Sequence, residues 1–371
     1  MIYKYDCRYF NGEKPCQFKR PCENCGEYSP MGTRIVIVKL AAMGDVLRTT
    51  PILSALKSEY PLSHITWVVD SASYELLDGN PRIDRVMRFN AETCMQLELE
   101  NFDLVLSLDK EGRAVSLVMR LQAQKKLGFG LSVQGNIFPM NPECEYAFRL
   151  GVDDDLKFDQ NSKTYQEIIF EALGMKYKGE SYEMVVRPED EVYAKNFLMK
   201  AGVEEGLTRV AICPGAGALF ANKAWTVDGY CKLINNLSQL VDVQVLLMGG
   251  KAETSKNAEI KACVEFPIVD VGNHHSITQF SAIVKQCDLM ICGDTLPMHL
   301  AIGHGKHVLA IFGPTCPQEI DLYGKGEIIM SGIDCAPCYK RTCDIVDNCM
   351  VKIPSNLVSE KALHLIEEIR C

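Results

Sequence analysis

The chain has 371 residues, 47% of them hydrophobic and 23% charged, with a formal net charge of −9. That length exceeds one ordinary core and points to two domains, and the acidic balance argues against a nucleic-acid partner. No apolar run approaches the ~20 residues of a membrane span, and residues 1–9 lack the apolar region of a signal peptide, so a cytoplasmic location is expected.

Lys and Arg balance Asp and Glu over residues 1–150, and the acidic excess falls on 151–371. A negatively charged partner would therefore meet the first half more easily. The seventeen cysteines are many for a chain of this kind. In a reducing compartment such a count favours metal ligands over disulfides. Cys94, Cys144, Cys213, Cys231, Cys263, Cys287, Cys292, Cys316 and Cys371 are scattered, mostly in apolar contexts, and read as small core hydrophobes. The others form two clusters.

Residues 1–30 are a cysteine-rich head in which Cys7, Cys16, Cys22 and Cys25 are spaced C-x8-C-x5-C-x2-C. The head has too few apolar residues for a core of its own, so four thiolates around one ion would supply its folding energy. Zinc is the favoured structural metal; iron, alone or in a cluster, stays open.

Residues 31–185 alternate strand and helix. Strands are expected at 34–40, 64–69, 85–89 and 104–108, and helices at 46–59 and 113–123. This alternation means βαβ units and a parallel sheet. After strand 34–40 comes the turn 41–44 and then Asp45, expected to open a helix. Asp45 suits a helix cap and equally suits a catalytic carboxylate at the C-terminal edge of a parallel sheet. After Phe129 the pattern becomes irregular. Residues 156–173 read as a helix whose polar start, with Lys157, Asn161, Lys163, Tyr165 and Gln166, could touch an acceptor or simply be solvated.

A polar link with Pro188 spans 180–191, and residues 186–371 restart the alternation. Strands are expected at 209–213, 243–248, 267–271, 289–292 and 307–312, with helices at 226–240, 252–264, 276–285 and 297–302. Two doubly wound sheets in tandem leave a cleft at their C-terminal strand edges. Four strands of the second half, ending at Cys213, Met248, Cys292 and Phe312, lead into a Gly, Pro or Thr loop, an arrangement suited to phosphates. Lys223 adds a positive charge there, Thr295 a hydroxyl, and Glu253 a carboxylate for ribose hydroxyls. Cys335, Cys338, Cys343 and Cys349, spaced C-x2-C-x4-C-x5-C, form a second expected four-cysteine metal loop at 335–349. An amphipathic helix at 355–369 ends the chain.

Five motifs run in one order: Val38-Lys39-Leu40-Ala41-Ala42-Met43-Gly44-Asp45-Val46-Leu47 with Thr50-Pro51; Pro214-Gly215-Ala216 with Lys223-Ala224-Trp225; Met248-Gly249-Gly250 with Glu253; Gly293-Asp294-Thr295 with Met298-His299-Leu300-Ala301; and Phe312-Gly313-Pro314-Thr315. In these the chain resembles the inverting glycosyltransferases of family 9, which include the ADP-heptose:lipopolysaccharide heptosyltransferases. The resemblance implies a GT-B fold of two Rossmann-like domains, acceptor domain first and nucleotide-sugar domain second. It implies Asp45 as general base and Lys223 as the diphosphate-binding lysine. Gly215, Glu253, Asp294, Thr295, His299 and Gly313 would line the nucleotide-sugar, and Met43 and Gly44 the acceptor side, where Lys163 is also placed by the polar start of its helix. Transfer in this fold needs no metal. Leu296-Pro297 departs from the family's usual Gly-Pro, and the head is foreign to the lipopolysaccharide enzymes. The expected partners are an ADP-heptose-like donor and a glycan or glycolipid acceptor, with peripheral attachment to the inner membrane and the oligomeric state left open. The alternatives are a sugar-nucleotide epimerase on the same fold and a metal- or redox-responsive member without catalysis.

Overall fold

The β-branched run at the start of the motif-bearing stretch forms a strand, β1 (Arg34–Val38), whose last four residues are buried. Around it, in this computed structural model, residues 2–217 and 222–371 are described. They divide into two units, Met1–Asp153 with Gln166–Val185, and Asp154–Tyr165 with Val186–Cys371.

The first unit adds β2 (His64–Val69), β3 (Arg85–Arg88), β4 (Asn101–Ser107), β5 (Gln122–Leu131) and β6 (Ile137–Pro139). The sheet order is β3-β2-β1-β4-β5-β6. Its pairings are parallel except that β6 runs antiparallel to β5. All six residues of β2 are buried, as befits a strand covered on both faces. Val36, Val38, Leu40, Val68, Val105, Leu117 and Val118 form a continuous core.

The second unit has β7 (Thr208–Cys213), β8 (Val243–Met248), β9 (Val269–Gly272), β10 (Leu289–Gly293), β11 (His307–Ile311) and β12 (Gly326–Ile329). Its order is β12-β11-β10-β7-β8-β9, all parallel. The C-terminal helix Ser355–Arg370 packs Val358, Ala362, Leu365 and Ile366 into its core. Two parallel α/β units are thus present.

Several elements differ from their expectations. The helix at 46–59 is two, Met43–Thr49 and Ile52–Glu59, with Pro51 between them; proline lacks the N–H a continuous helix would use. The helix at 156–173 is a short π-turn, Leu156–Gln160, followed by Tyr165–Ala172. The link with Pro188 is instead the start of a thirteen-residue helix, Pro188–Lys200, with Pro in its first turn and Glu189, Asp190 and Glu191 beside the positive helix end. Strands β5, β6 and β12 were not expected. The first half of β5 (QAQKK) is polar and largely exposed, so it carries no burial signal.

Two of the scattered cysteines are not simple hydrophobes. Cys231 and Cys263 form a disulfide, Cα–Cα 6.0 Å, between the helices Val227–Leu237 and Thr254–Cys263. Cys94 is half-buried and Cys371 exposed. The buried thiols of Cys144, Cys213 and Cys287 are pushed up to about 12 by burial.

Candidate active site

Strand order reverses at two places, between β1 and β4 in the first unit and between β7 and β10 in the second. At such a switch point the loops leaving two neighbouring strands diverge and open a crevice at the C-terminal edge. Asp45 follows β1. Lys223 follows β7 and Asp294 follows β10.

In the first unit the helix opens at Met43, so Asp45 is its third residue rather than its cap. The carboxylate still reaches back, accepting the Ala42 N–H at 3.3 Å. It also pairs with Arg48 at 2.8 Å, with about a third of its side chain exposed. Met43 and Gly44 lie in the same first turn. Beneath them is a pair the motifs did not single out. Lys39 donates to Asp109 at 2.7 Å and to the Ala41 carbonyl at 2.8 Å. The other oxygen of Asp109 accepts the Leu40 N–H. Both side chains are nearly excluded from water. Burial pushes the Asp109 carboxyl up against the opposing pull of Lys39. The only sequence signal was a charged residue ending each of two apolar strands. Lys163 lies in the segment grouped with the second unit, where its backbone N–H bonds Asn161 at 3.1 Å.

In the second unit Lys223 donates to Asp294 at 2.7 Å, both side chains less than a fifth exposed. Burial works against the charged form of Asp294, but Lys223 and the neighbouring His299 outweigh it and hold the carboxyl below its ordinary value. His299 itself is buried. Thr295 occupies the cap position of the helix Leu296–Gly303 without capping it; its hydroxyl donates to the Gly293 carbonyl at 3.3 Å. That helix end has no side-chain cap and suits an anion. Glu253 accepts the Gly250 N–H at 2.9 Å. It also lies so close to Gly215 that a Cβ there would meet its carboxylate at 2.6 Å. At Gly313 a Cβ would collide with Met350 and come within 2.9 Å of the Cys349 sulfur. Residues 218–221, which precede Asn222 and Lys223 in sequence, lie outside the described residues. The structure therefore brings Lys223, Asp294 and His299 together, and Glu253 with Gly215.

The cysteine clusters differ from a closed metal cage. Among the described residues no three Cys, His, Asp or Glu side chains come together as a set that could hold a metal ion. In the second cluster Cys335 and Cys343 are exposed while Cys349 is buried against Gly313, and burial together with the neighbouring Cys338, Cys343 and Cys335 pushes the Cys349 thiol up. In the head, Cys7, Cys16, Cys22 and Cys25 line one cavity with Tyr9, Phe10 and Phe18. Each of the four also begins a tight turn, its carbonyl accepting the N–H of residue i+3.

Comparison with known proteins bears on the family and the fold. The family model of glycosyltransferase family 9 (heptosyltransferase) matches residues 92–347. Lipooligosaccharide heptosyltransferase 2 of Campylobacter jejuni is 28% identical over 88% of this chain and 96% of its own. The crystal structure of a family 9 glycosyltransferase from Veillonella parvula superposes with a TM-score of 0.72 at 19% identity, covering 91% of this chain and 97% of that one. The E. coli ADP-heptose lps heptosyltransferase II superposes at 0.67 and 16% identity, over 91% of this chain and 100% of the other. The chain belongs to glycosyltransferase family 9 and is a glycosyltransferase.

Proposed function

We propose that this chain moves a heptose from ADP-heptose to a glycan or lipopolysaccharide-type acceptor, with inversion at the anomeric carbon. The observation that carries the donor half is the Lys223–Asp294 pair at the switch point of the second sheet, beside an uncapped helix start. Asp294 fixes the ammonium where a diphosphate would arrive, and the glycine of Gly215 lets backbone approach it. Glu253 takes the ribose hydroxyls, and Thr295, His299 and Gly313 line the sugar nucleotide.

In the transfer step the acceptor hydroxyl oxygen attacks the anomeric carbon. The bond from that carbon to the diphosphate oxygen breaks, and its electron pair leaves with the diphosphate. Asp45 accepts the hydroxyl proton, exchanging its Arg48 pair for the acceptor. Lys223 and the helix-start N–H groups meet the charge developing on the leaving group. Met43, Gly44 and Lys163 serve the acceptor. Family membership disfavours the epimerase and non-catalytic readings.

The head is proposed as a structural metal segment, with zinc preferred and Cys7, Cys16, Cys22 and Cys25 as ligands. Its support is the shared cavity and the four tight turns; bound metal would tie the turns together and takes no part in transfer. The same role is proposed for Cys335, Cys338, Cys343 and Cys349. Among the described residues no helix is long and apolar enough to cross a membrane, and a cytoplasmic site of action is proposed.

The test is release of nucleoside diphosphate from ADP-heptose, ADP-glucose, UDP-glucose and GDP-mannose, each with a heptose-deficient lipopolysaccharide. ADP-heptose should be consumed well ahead of the others. Preferential turnover of a uridine or guanosine donor would overturn the assignment.

A further inference from the structure

We propose that Lys256 is a positioning residue of the donor site, holding the neck of the loop that carries Lys223; the inference rests on the donor reading given above. Lys256 lies on the helix Thr254–Cys263, three residues beyond Glu253. Its Nζ donates to the Trp225 carbonyl at 2.9 Å and to the Pro214 carbonyl at 3.3 Å. Pro214 directly follows β7, and Trp225 lies just before the helix Val227–Leu237. One ammonium therefore joins both ends of the segment from which Lys223 reaches Asp294. Two of its three N–H donors are committed to backbone. The site around it is built rather than incidental. Its Nζ stands 5.8 Å from the ring centre of Tyr230, which is buried. The Trp225 indole N–H anchors the far end of the loop on the Ile353 carbonyl at 3.2 Å.

A loop must lose conformational freedom to place a charge on a ligand, and closing its neck beforehand removes part of that cost. Glu253 sits against Gly215 on the same loop. The first turn of one helix thus sets both the carboxylate assigned to the ribose and the neck of the loop assigned to the diphosphate. Lys256 also has the Glu253 carboxylate as an electrostatic neighbour, but the role proposed for it is exerted through Lys223.

The experiment is calorimetric titration with ADP and AMP of wild type, Lys256→Met and Lys256→Arg, and of Lys223→Ala with and without Lys256→Met. Loss of the charged staple should weaken ADP about tenfold, and AMP, which lacks the second phosphate, much less. Lys256→Arg should restore ADP binding to within about threefold of wild type. On the Lys223→Ala background Lys256→Met should have no further effect, which a merely structural lysine would not give. Wild-type ADP affinity in Lys256→Met, or an equal loss with and without Lys223, overturns the proposal. Should Lys256→Met not fold, Lys256→Gln keeps a neutral amide donor group without the charge and should lose part of the affinity; unchanged binding there is equally fatal. A wild type that binds no nucleoside diphosphate overturns the donor reading itself, so the two failures are distinct.

Discussion

Lys39 and Asp109, 2.7 Å apart and almost out of water, tie the C-terminal ends of β1 and β4 together directly beneath the turn that presents Asp45. Removing one partner of a buried pair leaves an uncompensated charge, which costs about 3–5 kcal/mol, whereas replacing both with apolar residues is often near neutral. Lys39→Met and Asp109→Leu should each lower the urea midpoint strongly, and the double variant should recover much of the loss. Additive losses in the double variant would show that the two residues contribute independently. The pair was hard to read from sequence because its meaning lies in pairing across 70 residues. Lys223 and Asp294, 71 residues apart, were named separately, Lys223 from its glycine-containing strand-end loop and Asp294 from the family motif, and their pairing was not read. Asp45 was read at the right edge but in the wrong helical position. The helix begins two residues earlier, at Met43, where no sequence cap marks it and Ala42 occupies the cap position.

Among the elements, the strands buried on both faces were the most legible. The runs that became β1, β2, β8, β10 and β11 are apolar and bounded by turn residues, so periodicity and composition agree. What escaped were elements whose signal depends on neighbours: β5, polar along its exposed half, and the helix Pro188–Lys200, whose leading proline reads equally as a linker. The pairing of Cys231 with Cys263 was likewise invisible, since spacing does not say which helices lie side by side. The cysteine head docks on the N-terminal edge of the first sheet. Arg8 pairs there with Asp84 at 3.1 Å, and Asp84 also accepts the Ile65 N–H at 2.8 Å. That edge is opposite the one bearing Asp45. Metal bound by the head should therefore matter for the head's order and not for transfer. Metal analysis of the freshly purified protein should find zinc or iron. A chelator should open residues 1–30 to protease while donor turnover by the intact chain persists. Metal-free protein with a protected head would contradict the four-cysteine reading.

At the scale of the molecule, two sheets, parallel except for β6, each reverse strand order once, and Asp45, Lys223 and Asp294 follow the strands at those reversals. The architecture was legible because alternating strands and helices leave few topologies once crossovers are right-handed. Among the residues of the proposed site, Lys223 and Glu253 were suggested by their place at a strand end and Asp294 by the family motif, whereas Lys256 and Asp109 carried no such signal because their partners lie elsewhere in the chain. The division of labour predicts a separation in kinetics. A group that only binds the donor changes KM, while one that takes a proton in the transition state changes kcat. The direct measurement is steady-state transfer from ADP-heptose to a heptose-deficient lipopolysaccharide by wild type and Asp45→Asn, with thermal unfolding as the control for folding. Asp45→Asn should lose at least about 100-fold in kcat with the donor KM essentially unchanged. Transfer by Asp45→Asn at the wild-type rate would show that Asp45 is not the base.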